Sequence, residues 1–225
     1  MYRERPSRLD GAVVWQTRRD PGQVTPGRVL PDGCIDLLWS GDELIVAGPD
    51  TTAYVSGGPP VSYTGLRFAP GTAPGILGVP AHELRDRRVP LDDLWPAARV
   101  RRMAARVAGA DTAGTALELL ALELTGPPDP GVAELVRALR TGEPVAAIAE
   151  DAGVSERQLH RRSLALFGYG PKLLARILRL QRALELARRG VPAATVAATT
   201  GYADQPHLAR DVRTLTGVPL GTLLR

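Results

Sequence analysis

The last third of the chain is constrained by a plan written twice. Ala149 is followed four residues later by Gly153, and Ser155 then opens a helix whose Leu159 points to the core. Ala197 is followed four residues later by Gly201, with Leu208 in the matching apolar place one residue further along. A small residue lets two helices approach, glycine takes the left-handed turn, and a capped second helix projects a polar N-terminal face. Each segment therefore reads as a helix-turn-helix. The two copies lie 48 residues apart, joined by one long helical stretch.

The surrounding text supports a helical C-terminal part. The periodicity predicts helices over 132–140, 145–151, 156–167, 172–189, 192–200 and 204–215. Upstream, Thr125-Gly-Pro-Pro-Asp-Pro-Gly131 cannot continue a helix and marks a boundary. Before it, 113–124 reads as a helix with Leu117, Leu120 and Leu124 on one face, and 81–87 and 91–107 read as two more. From 12 to about 70 the pattern changes to short runs rich in Val, Ile, Trp and Tyr, punctuated by Pro, Gly and Asp. These predict strands at 12–16, 34–39, 43–47 and 61–68, the middle two forming a hairpin around Ser40-Gly41-Asp42. The expected organisation is a β-rich sensor or dimerisation domain with a helical connector (1–125), a linker (126–131) and a helical domain (132–225). Within the last, the helix-turn-helix units fall at about 144–167 and 192–215, joined by helix 172–189.

Charge follows the same division. The 225 residues carry a net charge of +4, yet residues 1–130 hold 14 basic and 16 acidic side chains, and residues 131–225 hold 14 basic and 8 acidic. A −2 half and a +6 half point to nucleic-acid or membrane contact by the second. The sequence has no run of 18 apolar residues and no apolar stretch at its start, so the expectation is a cytoplasmic protein with no membrane partner. One cysteine, Cys34, excludes an internal disulfide, and three scattered histidines argue against a metal centre. No Ser/His/Asp arrangement or phosphate-binding glycine loop is present. The chain therefore reads as a non-enzyme with no cofactor, no metal site and no catalytic residue.

The segment 144–225 resembles the DNA-binding domain of AraC/XylS-type bacterial transcription regulators. The resemblance rests on Ile148-Ala-Glu-Asp-Ala-Gly-Val-Ser-Glu-Arg-Gln-Leu-His-Arg161, Phe167-Gly-Tyr-Gly-Pro171, Val196-Ala-Ala-Thr-Thr-Gly-Tyr-Ala-Asp-Gln-Pro-His-Leu-Ala-Arg210 and Leu215-Thr-Gly217. The N-terminal part resembles the sensor-like domain that precedes this unit in many actinobacterial members. There the motifs are Pro31-Asp-Gly-Cys-Ile-Asp-Leu-Leu-Trp39, Ala47-Gly-Pro-Asp50, Gly65-Leu-Arg-Phe-Ala-Pro-Gly71 and Leu77-Gly-Val-Pro80. Together these imply an α+β chain: a cupin-like N-terminal β-barrel with appended helices, then an all-α double helix-turn-helix domain. The implied partner is double-stranded DNA. A small-molecule effector, a homodimer and, for an activator, RNA polymerase are further partners that the resemblance brings with it.

Carried onto this sequence, the resemblance makes Arg157, His160 and Arg161 base-edge readers on the first recognition helix, with Gln158 beside them and Ser155 capping the helix or touching phosphate. On the second it gives Gln205, His207 and Arg210, with Arg213 towards the backbone. Arginine reads guanine and glutamine reads adenine, so the side-chain types suit the task. The sequence departs from the family at Ser163 and Val212, where core aromatics are usual, at Asp211, placed to screen or orient Arg210, and at Pro219, one place early.

Strand alternation sets Ile35, Leu37 and Trp39 on one face and Cys34, Asp36 and Leu38 on the other; Arg67 opposes Leu66 and Phe68. Asp36 and Arg67 can then meet inside the β domain, as a structural ion pair or as the anchor of an effector pocket, with Trp39, Tyr54 and Tyr63 as candidate walls. The competing reading is a small-molecule-binding or cysteine-dependent enzymatic N-terminal module with a helical docking domain.

Overall fold

The computed structural model describes residues 2–17, 27–56, 62–127 and 129–224. Val61 of the expected last strand and Pro128 of the expected linker lie outside them. The chain begins with β1 (Tyr2–Pro6), β2 (Val13–Thr17), β3 (Gly27–Val29), β4 (Asp36–Trp39), β5 (Leu44–Ala47), β6 (Tyr54–Ser56) and β7 (Tyr63–Arg67). After α1 (Ala73–Leu77), the strand β8 (Arg88–Pro90) completes an antiparallel sheet in the order β1-β2-β7-β4-β5-β8. β3 and β6 form a separate two-stranded ribbon. Among the described residues the larger sheet does not close by hydrogen bonds, and it shares the walls of one cavity with the ribbon.

The expected hairpin is present. Trp39 pairs with Leu44, the Ser40 N–H donates to the Glu43 carbonyl at 3.1 Å, and Gly41 turns the chain with φ +113°. Alternation holds as well: Leu37, Trp39, Leu44, Val46, Leu66 and Phe68 are buried in one core, against Met103, Val107, Leu117 and Leu120. The last four come from α2 (Ala97–Ala108) and α3 (Ala113–Leu124).

Two expected helices are shorter than their periodicity suggests. Residues 81–87 make a single 3-10 turn, Ala81–Glu83, before Asp86 adopts φ +58° and feeds β8. Its carboxylate accepts from the Thr51 N–H (2.7 Å) and hydroxyl (2.9 Å), which holds the reversal. Residues 91–107 divide into a 3-10 turn, Leu91–Asp93, and α2, because Pro96 disfavours helical backbone in the residue before it. β1 joins this unit to α3 through Glu118. That buried carboxylate accepts from the Arg8 N–H (2.6 Å) and the Ser7 hydroxyl (2.7 Å) and pairs with Arg5. Burial alone would raise its pKa, but these donors outweigh it and hold the group below the usual range.

The rest is helical: α4 (Pro130–Thr141), α5 (Val145–Asp151), α6 (Glu156–Phe167), α7 (Pro171–Arg188), α8 (Ala193–Thr200), α9 (Gln205–Thr216) and α10 (Leu220–Leu223). A second core gathers Leu135 and Leu139 of α4, Leu159 and Phe167 of α6, and Leu208, Val212 and Leu215 of α9 around α7. Leu174, Ile177, Leu180 and Leu184 make α7 the spine of this part; all are fully buried. Truncating one to alanine costs about 2–5 kcal/mol.

Candidate nucleic-acid interface and interdomain cavity

In the first unit, Gly153 turns the chain with φ +65° and the Val154 N–H returns to the Ala149 carbonyl at 2.9 Å. Ser155 then caps α6. The Gln158 N–H donates to Ser155 Oγ (3.3 Å), and the Ser155 N–H donates to Gln158 Oε1 (2.8 Å). This capping box fixes the helix start and engages both polar groups locally. Arg157, His160 and Arg161 remain exposed. Neither arginine has an ion-pair partner among the described residues, whereas the neighbouring Arg162 pairs with Asp129 at 2.9 Å. The His160 ring lies against Gly170, where a Cβ would come within 2.4 Å of it, so the imidazole rests on the turn that follows α6. Ser163, in place of an aromatic, is buried and donates its hydroxyl to the Tyr169 carbonyl at 2.7 Å.

The second unit repeats the turn: Gly201 has φ +81° and the Tyr202 N–H returns to the Ala197 carbonyl at 3.0 Å. Asp204 caps α9, accepting from the His207 N–H at 2.6 Å. The His207 ring sits edge-on against Tyr202, centroids 5.1 Å apart, and accepts from the Ala203 N–H at 3.3 Å. Gln205, Arg210 and Arg213 are exposed, and the two arginines have no ion-pair partner among the described residues. Asp211 does not approach Arg210, contrary to the expectation from adjacency. It is 5% exposed, pairs with Arg176 Nε and, at 3.6 Å, with Arg179, and accepts from the Tyr202 hydroxyl at 2.9 Å. Neighbours in a helix point about 100° apart, so Arg210 faces out while Asp211 faces α7.

Both α6 and α9 meet the N-terminal unit at their C-terminal ends. The Ala53 N–H donates to the Leu215 carbonyl (2.7 Å) and Arg28 Nη1 to the Thr216 carbonyl (2.6 Å), both in the last turn of α9. Beyond α6, Arg85 Nη1 donates to the Gly168 carbonyl at 3.3 Å, and the Tyr169 hydroxyl donates to the Asp50 carbonyl at 3.2 Å. Gln181 of α7 donates to the Pro31 carbonyl at 2.6 Å. Helix C-termini carry unsatisfied carbonyls and partial negative charge, so an arginine there is favourable on both counts.

The segments that supply these contacts also wall a cavity of about 840 Å³. It is lined by Asp36, Tyr54, Tyr63 and Arg67 of the expected set, and reached by Gln181 and Arg188 of α7. Trp39 lies on the opposite face of β4, in the core. Asp36 and Arg67 are register partners across β4 and β7, with Nε 3.4 Å from Asp36 Oδ1 and 3.2 Å from Asp32 Oδ2. The Trp15 indole N–H donates to Asp36 at 2.5 Å. Burial raises the Asp36 pKa against the opposing pull of Arg67. Burial also pushes the Cys34 thiol well above its ordinary value, so the group stays protonated.

The strand pattern placed Asp36 and Arg67 together. It gave no sign of Arg28, Arg85, Tyr169 or Gln181, since no local period links Arg28 to Thr216, 188 residues away. Residues 148–225 match the family of a helix-turn-helix domain, and residues 12–90 match a domain of unknown function (DUF6597). No curated protein matches the chain in sequence. In fold it is similar to ToxT from Vibrio cholerae strain SCE256. An apo lysine-to-alanine variant of ToxT superposes with a TM-score of 0.52 at 12% identity, over 97% of this chain and 98% of that one. The wild-type protein bound to an unsaturated fatty acid gives 0.51 at 10% identity, over 95% and 94%. Residues 148–225 therefore carry a helix-turn-helix domain, and the chain as a whole shares the fold of ToxT.

Proposed function

We propose that this protein is a sequence-specific regulator of transcription that reads double-stranded DNA with α6 and α9, and that a small molecule in the cavity controls how the two are presented. Residues 1–125 are the sensor unit, 126–131 the linker and 132–225 the reading unit. Arg157, His160 and Arg161 on α6, and Gln205 and Arg210 on α9, address base edges, while Arg213 addresses phosphate. Ser155, Gln158 and His207 serve chiefly to fix the helix starts, given their local hydrogen bonds.

The observation that carries this reading is the double grip. Both recognition helices end on contacts to segments that also wall the cavity, so a ligand that shifts Arg28 or the segment at Asp50 shifts a reader. ToxT in complex with an unsaturated fatty acid is a precedent for a small molecule on a similar fold. A cysteine-dependent reaction is disfavoured, because the half-buried Cys34 thiol on the cavity wall is held in its protonated form, a poor nucleophile.

The test is DNA affinity on a site selected from random duplexes. Arg161→Ala and Arg210→Ala should each cost about 1–3 kcal/mol and relax one base position. Arg28→Ala should change affinity without changing the selected sequence. Wild-type affinity in both reader variants would overturn the assignment.

A further inference from the structure

Four acidic and four basic residues line the cavity, but they are unevenly placed, and the cluster around Arg67 is acidic. Two carboxylates, Asp32 and Asp36, face a single guanidinium, Arg67. Arg67 Nε is buried and has no hydrogen-bond acceptor, although it lies 3.2 and 3.4 Å from the two groups. It neutralises one charge between them and leaves the carboxylate oxygens acceptor capacity. An uncompensated carboxylate away from water is costly, and a cation supplied from outside removes that cost.

Two of the other three lining arginines are already engaged. Arg88 is held by Asp50 through bonds of 2.8 and 2.6 Å and stacks on Tyr54, 4.1 Å from the ring centroid. Arg28 is engaged by the Thr216 carbonyl. Arg188, the last residue of α7, is exposed and has no ion-pair partner among the described residues, but it lies on α7, apart from the strands that carry Asp36 and Arg67. Beside Asp36 the wall is aromatic: Trp15 bonds Asp36 through its indole N–H, and the Tyr2 ring lies 6.1 Å from that of Trp15. Aromatic faces attract cations. Burial raises the Asp36 pKa, with Arg67 opposing the rise and Asp32 adding to it.

We infer that the cavity takes a small organic cation, an amine on an apolar or aromatic body, with the ammonium group on the carboxylate oxygens of Asp32 and Asp36 that Arg67 leaves open and the body along Trp15 and Tyr2. The inference rests on reading the cavity as an effector site and assigns its chemical class. That class is opposite in charge to the unsaturated fatty acid bound in ToxT. A volume of about 840 Å³ accommodates such a molecule.

Three probes with one indole body separate the possibilities: tryptamine, tryptophol and indole-3-propionate, each added to the full chain and followed by thermal shift and calorimetry. Tryptamine at about 10 mM should raise Tm by about 2 °C or more, with the neutral and anionic probes giving less. Asp32→Asn, which leaves Asp36 and Arg67 as a one-to-one pair, should weaken tryptamine binding by about tenfold or more while the chain remains folded. Asp36→Asn should do the same, and if it lowers folding, Asp32→Asn alone carries the test. Preferential binding of indole-3-propionate or tryptophol would overturn the class and leave the effector reading standing. Undiminished tryptamine binding in Asp32→Asn would also overturn the assignment. Binding of none of the three would overturn both the class and the effector reading.

Discussion

In the first helix-turn-helix unit the second helix is anchored by neutral groups: the Ser155–Gln158 capping box at its start and the Ser163 hydroxyl on the Tyr169 carbonyl near its end. In the second unit the equivalent helix is anchored by charge, with Asp211 buried between Arg176, Arg179 and Tyr202. The outward faces differ in step. α6 exposes Arg157, His160 and Arg161 within five residues, whereas on α9 His207 is half-buried against Tyr202 and the free cations, Arg210 and Arg213, come later. One plan has thus been fixed in two ways. Because the exposed cations come earlier on α6 than on α9, the proposed reading expects the first unit to carry more of the base discrimination.

The largest effect should come from breaking the charged anchor. Asp211→Ala leaves the Arg176 and Arg179 guanidiniums without their carboxylate and should lower unfolding free energy by about 3 kcal/mol, read from urea midpoints. An unchanged midpoint would show that the second unit does not depend on this cluster.

Next are the readers. Arg161→Ala and Arg210→Ala should each cost about 1–3 kcal/mol in DNA binding, with the larger loss in Arg161→Ala. A larger loss in Arg210→Ala would reverse the ranking of the units. Ser163→Ala, which strands the buried Tyr169 carbonyl, should cost about 1–2 kcal/mol of stability, less than Asp211→Ala. The two caps should be nearly equal: Ser155→Ala and Asp204→Ala each remove about 1 kcal/mol by thermal unfolding.

The smallest effect lies outside the repeat and serves as its control. The folded-state pKa of Glu118 is depressed, so its contribution is fully present above the unfolded value, near about 4.3, and disappears as pH falls through the lower folded value. Urea midpoints taken from pH 7 down to pH 3 should fall less steeply in Glu118→Gln, with no change in DNA specificity.

Much of the helical half was legible because its signals are local. The glycine turns at Gly153 and Gly201, the Ser155 cap and the apolar period of α7 act within a few residues of where they are read. The alternation that brought Asp36 opposite Arg67 is likewise a local period. What escaped has its cause elsewhere in the chain. β8 exists because it pairs with β5, and β1 because it pairs with β2 and is tied to Glu118. Asp211 was misread because adjacency to Arg210 suggested contact, when helical geometry turns it towards α7. Trp39 was assigned to the cavity although its own alternation set it with Leu37 in the core. The grip of Arg28 and Arg85 on the helix ends is visible only in the folded chain.

Selection of bound duplexes from a random pool, repeated with Arg161→Ala and with Arg210→Ala, tests the central claim most directly. The account predicts two blocks of preferred bases about one helical turn apart, with each variant erasing positions in one block only. Enrichment of no motif, or of a single block unaffected by either substitution, would contradict it.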